Sequence, residues 1–156
     1  MDHYSIKIAT KNECASILEL LILQYKKDNI DVTRILNTCL KIASNATPNK
    51  IIIELLVKYG ACNINESLIK LVTNNHTYIN RYEIIKFLID SGADNLEEVY
   101  IIAKSNTTTC LDSFDYNYNS ISSTNMRIIE LLKNKTRNYQ QKERQKKEIF
   151  KKNIYK

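Results

Sequence analysis

One short pattern of apolar residues around a single charge recurs four times along the chain. The copies begin at Ile17, Ile52, Ile84 and Ile128, at offsets of 35, 32 and 44 residues, and read close to Ile-Ile-Glu-Leu-Leu. On a helix, apolar residues at i, i+1, i+3 and i+4 form one broad face and the charge points outward. A strand would place apolar residues on both faces. The pattern therefore predicts four amphipathic helices, with these leucines in the core: Leu55, Leu56, Leu88 and Leu131.

A second helical segment precedes each copy of this pattern. Three of these segments share an alanine at one position, which lets a helix approach its neighbour closely: Ala9, Ala43 and Ala103, with Val72 in the remaining one. An asparagine follows each, and asparagine tolerates the left-handed backbone of a turn: Asn12, Asn45, Asn74 and Asn106. The sequence thus predicts helix pairs near residues 3–11 and 13–27, 32–45 and 49–59, 66–74 and 81–91, and 96–105 and 125–134.

Both glycines of the chain lie directly after one of the predicted second helices. Gly60 opens the sequence Gly-Ala-Cys-Asn, and Gly92 opens Gly-Ala-Asp-Asn. A glycine at this point takes positive φ without a steric penalty and so ends the helix in a chain reversal. We therefore expect both residues to be helix C-caps, at equivalent places in two copies of one structural unit.

Helix pairs at a period near 33 residues, with Leu-x-Ile-Ala in the first helix, Ile-Ile-x-Leu-Leu in the second and Gly-Ala-Asp after it, resemble ankyrin repeats. The resemblance covers about residues 4–134, although the family's Thr-Pro-Leu-His opening is absent. It implies an all-α, ankyrin-like solenoid of about four stacked helix pairs over residues 1–134, with a polar insertion at 107–124. Degenerate repeats rich in Asn, Ile and Lys are similar to those of large DNA viruses such as poxviruses and giant viruses.

The end of the chain is strongly basic. Residues 133–156 hold ten basic and two acidic residues, a net charge of +8, whereas the whole chain carries +6, so the remainder sums to −2. We expect residues 135–156 to form a separate basic tail, helical from about 137 to 152. Its cations would neutralise the phosphates of a nucleic acid: Lys142, Arg144, Lys146, Lys147, Lys151 and Lys152. Interleaved aromatic side chains would stack on bases: Tyr139, Phe150 and Tyr155. The alternatives are a solvated tail and a nuclear-import signal.

Residues suited to catalysis or metal binding are sparse. The chain has no Gly-x-Ser-x-Gly turn, phosphate-binding glycine loop or His-Glu-x-x-His helix. Its four cysteines form no Cys-x-x-Cys pair and neither histidine adjoins one, so no zinc site is expected. We expect a protein that is not an enzyme and has no metal or cofactor. The longest aliphatic run, Leu20 to Leu23, is far shorter than the ~18 residues of a membrane span, which predicts a soluble, intracellular protein.

The function that these observations favour is recognition of a protein partner. In a stack of repeats the links between helix pairs are exposed, and varied side chains on that surface select a partner. The side chains expected to do so are Asn29, Asp31, Asn63, Asn65, Asp94 and Asn95. The resemblance implies a viral protein that binds a host protein in the cytoplasm, with the nucleus as the alternative. The alternative function is binding of nucleic acid through the basic tail.

Overall fold

The computed structural model describes the backbone of residues 4–45, 48–74, 80–109 and 118–154, and the side chains of 4–45, 48–74, 80–106 and 123–151. The described residues form eight α-helices and no strand, which confirms the all-α fold class. The helices are α1 (Tyr4–Lys11), α2 (Ala15–Lys27), α3 (Thr33–Ala43), α4 (Lys50–Lys58), α5 (Ile64–Thr73), α6 (Arg81–Asp90), α7 (Leu96–Thr109) and α8 (Tyr118–Ile154).

Helices α1 to α6 belong to one compact unit, Met1–Asn95. Consecutive helices pack in pairs, α1 on α2, α3 on α4 and α5 on α6. The first helices of the pairs also contact each other in order, α1 with α3 and α3 with α5, and the second helices do the same, α2 with α4 and α4 with α6. A helix in this arrangement buries residues against its partner and against the next pair, which is why its apolar face is broad.

The helices α4, α6 and α8 bury the first and fifth residues of the recurring pattern. Leu56 and Leu88 are fully buried, as predicted, but Leu55 and Leu131 are only half-buried, so their assignment to the core is wrong. The reason is helical geometry: residue i+4 lies about 40° from residue i on the side of i+1, whereas i+3 lies about 60° away on the other side. In α8 the buried fifth residue is accordingly Leu132.

The first copy of the pattern is displaced by one residue from its predicted register. Ile17 is 55% exposed, whereas Leu18 and Ile22 are fully buried. Leu18 is therefore the equivalent of Ile52. It follows Ala9 of the first helix by nine residues, and Ile52 follows Ala43 by nine residues as well. The apolar string of α2 is long enough to fit either register, and packing selects the one that buries Leu18.

Both glycines have positive φ at helix ends, as predicted, with φ of 110° at Gly60 and 109° at Gly92. In each case the following alanine donates its N–H back into the last turn, from Ala61 to the carbonyl of Leu56 at 2.9 Å and from Ala93 to that of Leu88 at 3.2 Å. The end of α2 has the same bonding pattern with Asn29 at φ 54°. A left-handed residue therefore ends all three second helices of this unit.

The asparagines at the ends of the predicted first helices are not left-handed, so that prediction is wrong: none of the four has positive φ, and Asn106 lies inside α7. After α1 the positive φ belongs to Glu13, at 56°, rather than to Asn12. Asn74 has φ −73° and ψ 96°, and its Nδ2 donates to the backbone carbonyl of Asn45 at 3.2 Å. Asn45 is likewise not among the positive-φ residues. The side chain of Asn74 thus connects neighbouring helix pairs instead of supporting a left-handed turn.

The second compact unit, Leu96–Lys156, consists of α7 packed against α8. The two helices predicted at 125–134 and 137–152 are one helix of 37 residues, because no glycine or proline lies between Tyr118 and Ile154. The predicted domain boundary after residue 134 thus falls inside α8. The predicted insertion at 107–124 is helical at both ends, and its residues 110–117 lie outside the described residues.

Candidate binding surfaces

Three links end the helix pairs of the first unit, and they carry the side chains predicted to bind a partner. Asn29 and Asp31 lie in the link after α2, Asn63 in the link after α4, and Asp94 and Asn95 in the link after α6. Asn29, Asp31, Asn63 and Asp94 are exposed, whereas Asn95 and Asn65 are half-buried. Asn65 is already inside α5 rather than in a link.

The link after α4 is held by a side chain that the sequence reading did not single out. Asn37, on α3, accepts hydrogen bonds at Oδ1 from the backbone N–H of Cys62 at 2.7 Å and of Asn63 at 3.1 Å. Its Nδ2 lies 3.3 Å from the sulfur of Cys62. The amide thus binds the peptide groups of a link 25 residues further along the chain, and the side chain of Asn63 stays exposed.

The link after α6 is held in a similar way by Asn65. Its Oδ1 accepts from the backbone N–H of Asp94 at 3.1 Å, and its Nδ2 donates to Oδ1 of Asp94 at 2.6 Å. Two of the predicted partner-binding side chains are therefore bonded to each other. Asp94 remains exposed. The link after α6 therefore presents a negative charge to solvent although Asn65 binds its backbone.

The link after α2 is ordered by its own residues. Oδ1 of Asp31 accepts from the backbone N–H of Thr33 at 2.9 Å, at the start of α3. That bond, followed by the one from the Thr33 hydroxyl, lowers the pKa of Asp31 below its ordinary value of 3.8. The aspartate is therefore ionised at neutral pH and stabilises the exposed amide groups at the helix start.

A charged cluster joins α2 to α4 on their exposed sides. Oε1 of Glu19 accepts from the hydroxyl of Tyr59 at 2.8 Å and from Nζ of Lys58 at 3.1 Å. The ammonium groups of Lys58 and Lys26 each lie 5.0 Å from the centre of the Tyr59 ring. The Tyr59 bond, and then the Lys58 bond, lower the pKa of Glu19. The hydrogen bonds to Glu19 in turn raise the pKa values of Tyr59 and Lys58.

Arg81 is a buried cation at the start of α6. Its Nε donates to the carbonyl of Leu71 at 3.0 Å, and its Nη2 donates to the carbonyl of Val72 at 2.9 Å. Carbonyls in the last turn of a helix lack intrahelical partners and carry partial negative charge, so a guanidinium stabilises them. Sequence reasoning took Arg81 only as the first residue of a helix, because nothing local indicates that its side chain turns inward.

A cleft of about 230 Å³ lies where α1, α3 and α4 approach each other. Asn49 caps α4 by accepting from the backbone N–H of Ile51, and its Nδ2 donates to Oε2 of Glu13 at 2.9 Å across the cleft. The lining mixes short polar and aliphatic side chains, among them Thr10 and Ile42. The Glu13–Asn49 hydrogen bond thus connects two walls of the cleft.

The predicted basic patch lies on the last turns of α8. Lys142, Arg144, Lys146, Lys147 and Lys151 are all exposed, and the side chain of Lys152 lies outside the described residues. Nζ of Lys146 pairs with Oε1 of Glu143 at 3.0 Å. Because α8 is a regular helix, these cations do not form one patch: Lys142 and Lys146 project from a different face than Arg144, Lys147 and Lys151.

Other reactive side chains are dispersed. Burial raises the pKa of the Cys39 thiol, which favours its neutral form, and Cys14 and Cys62 are also free thiols. Cys110, His3 and His76 lie outside the described residues. Among the described side chains, no three His, Cys, Asp or Glu residues cluster closely enough to hold a metal ion. Within the same residues, no helix combines the length and apolar character needed to cross a bilayer.

Comparison with known proteins returned no relatives. No family model, curated protein or solved structure matches this chain.

Proposed function

We propose that this chain is a non-catalytic scaffold that binds a protein partner through the links of its first unit. The observation that carries the proposal is the pair of asparagines that hold successive links. Asn37 binds the backbone at Cys62 and Asn63, and Asn65 binds the backbone at Asp94. The polar tips of these links are thereby presented in a fixed conformation.

Fixed links matter because ordering a loop on binding consumes part of the interaction free energy. Each flexible, rotamer-rich side chain or loop segment that must be immobilised reduces the affinity, so a surface that is ordered beforehand binds more tightly for the same contacts. The links after α2, α4 and α6 each combine a left-handed helix end with a side-chain hydrogen bond to backbone. This is the construction expected of a recognition surface carried on a rigid scaffold.

The order in which the helix pairs contact each other supports the proposal. The ordered contacts between first helices and between second helices, together with the three left-handed helix ends, fit a stack of similar units. Such stacks bind proteins along their extended surface. The resemblance of the sequence to ankyrin proteins of large DNA viruses supports a host protein, in the cytoplasm, as the partner.

The test begins with affinity capture of partners by the full chain, followed by titration calorimetry with the purified partner. Asn63→Ala removes an exposed link side chain, and Asn37→Ala releases the link that carries it. Thr38→Ala is the matched control, because Thr38 is exposed on the same helix and its hydroxyl bonds only within the helix, to the carbonyl of Arg34. We expect both asparagine variants to weaken binding at least about tenfold, or about 1.4 kcal/mol, and the control to leave it unchanged.

Two results would contradict the proposal. One is a partner whose affinity is the same for the wild-type chain, Asn37→Ala and Asn63→Ala. The other is a partner that binds only to residues of α7 and α8, so that substitutions in the first unit have no effect on its affinity.

A further inference from the structure

The continuous helix α8 places five cations on one face. They are Lys133, Arg137, Arg144, Lys147 and Lys151, and we call them the cationic stripe. At 3.6 residues per turn, Lys133 and Lys151 are five turns apart and have the same direction, and the other three lie within about 40° of it. The stripe extends about 27 Å along the helix. Its first two members were not part of the predicted basic patch, because the helix was expected to break between 134 and 137.

The five cations of the stripe are exposed and make no hydrogen bond or ion pair with any described residue. Some lysines of the first unit differ in this respect: Lys41 pairs with Glu66 at 2.5 Å and Lys58 with Glu19 at 3.1 Å. Gln140 occupies the gap in the middle of the stripe, so no carboxylate interrupts it. The stripe is therefore a surface of net positive charge, with the carboxylates of Glu130 and Glu148 about 60° to one side of its centre.

We propose that the cationic stripe binds the phosphate backbone of a double-stranded nucleic acid without reading its sequence. A duplex carries one phosphate charge about every 1.7 Å of its axis with both strands counted, so a 27 Å length of duplex carries about sixteen phosphates. Two of the five cations are arginines, whose planar guanidinium groups bind phosphate oxygens in pairs. The strands wind around the axis, so the stripe faces only part of these phosphates, and the complementarity is one of charge.

The face next to the stripe argues against a membrane surface as the ligand. A helix that lies on a bilayer needs a continuous apolar face beside its cations. Between residues 133 and 151 the exposed large apolar side chains are Tyr139, Ile149 and Phe150. Tyr139 and Phe150 share one side of the helix, but the Glu143–Lys146 ion pair lies between them. Ile149 projects from the side opposite the stripe.

The same geometry argues against a single strand whose bases stack on aromatic rings. Tyr139 and Phe150 project about 100–120° away from the stripe around the helix axis. A strand whose phosphates follow the stripe would therefore not bring its bases onto these rings. Tyr155 lies outside the described residues. The stripe is thus suited to phosphate contacts alone, which a duplex offers with its bases paired inside.

The expected signature is steep dependence on salt. Each neutralised phosphate releases condensed counterions, so the logarithm of the affinity falls with the logarithm of salt concentration at a slope of about −0.9 per contact. Five contacts predict a fall of about 500-fold between 50 and 200 mM salt. Loss of three contacts leaves two and predicts a fall of about 12-fold.

The experiment is a fluorescence-anisotropy titration of the full chain against a labelled 20-base-pair DNA duplex of arbitrary sequence over this salt range. The stripe variant is Arg144→Gln with Lys147→Gln and Lys151→Gln. The control variant removes the same charge from exposed lysines of the first unit, Lys11→Gln with Lys27→Gln and Lys86→Gln. Circular dichroism verifies that both variants keep the helical content of the wild-type chain, as glutamine is a good helix former.

We expect the wild-type chain and the control variant to show the steep fall, and the stripe variant to bind more weakly with the shallow one. Equal slopes for the stripe and control variants would overturn the proposal, because the attraction would then come from net charge alone. Tighter binding to vesicles that contain anionic lipid, or to a single strand of the same length, would overturn the assignment to a duplex. Because the stripe and the links lie in different units, failure of this test leaves the protein-binding proposal standing.

Discussion

The side chain of Asn65 and the residue Asp94, 29 positions apart in the chain, bind each other through two hydrogen bonds of opposite direction. The amide nitrogen donates to the carboxylate at 2.6 Å, and the amide oxygen accepts from the backbone N–H at 3.1 Å. One side chain thereby fixes both the backbone and the carboxylate of the link after α6.

Replacement of Asn65 by alanine should destabilise the chain by about 1 kcal/mol, because the hydrogen bonds lost are partly exposed and water replaces them in part. Urea denaturation measures the effect. Asn63→Ala is the control, since the side chain of Asn63 makes no cap bond to α5, and it should stay within about 0.5 kcal/mol of wild type. Equal effects of the two substitutions would show that the Asn65–Asp94 pair contributes nothing to stability.

The neighbouring leucines of α4 provide a test of the core register. Leu56 is fully buried and Leu55 is half-buried. Leu56→Ala should destabilise by about 2–5 kcal/mol, because it leaves a cavity in a packed interior. Leu55→Ala removes the same atoms from a site that reaches solvent and should lower stability by only about 1 kcal/mol. A larger loss of unfolding free energy for Leu55→Ala would mean that α4 is rotated from its position here.

Arg81→Met should be among the more damaging substitutions at a charged residue of this chain. It keeps an unbranched side chain but removes the donors that reach the carbonyls of Leu71 and Val72. Loss of charged donors to buried carbonyls should destabilise by roughly 2–3 kcal/mol. Arg34→Met, at an exposed position of α3, should remain within about 0.5 kcal/mol of wild type in the same denaturation assay. A harmless Arg81→Met would place the guanidinium in solvent.

The Glu19 cluster makes stability depend on pH in a defined direction. The Tyr59 and Lys58 contacts lower the pKa of Glu19 from its ordinary value of 4.5, so its stabilising effect is present above that pH and disappears as pH falls through the lowered pKa. Glu19→Gln should therefore shift the urea midpoint at about pH 7 and have little effect at about pH 3. Glu83→Gln, at an exposed carboxylate of α6 without an ion pair to a described residue, is the control. A shift of equal size at both pH values would exclude the ion pair as its cause.

The sequence alone determined the six helices of the first unit and the ends of two of them. The spacing of apolar residues around single charges specifies helical faces because a helix repeats every 3.6 residues, and that periodicity is a local property. Gly60 and Gly92 mark helix ends because only glycine adopts their backbone conformation without strain. These features depend on residues within one or two turns of each other, which is the range over which sequence patterns are informative.

Tertiary structure alone decided the register of α2, the roles of the long-range polar side chains and the grouping of the cations on α8. Leu18 rather than Ile17 is buried because α2 must fit against its neighbours, and either choice satisfies the local pattern. Asn37, Asn65 and Arg81 find partners 9 to 29 residues away, which no local spacing specifies. The basic residues become a stripe only because α8 continues unbroken through them, so the direction of each cation follows from the length of the helix.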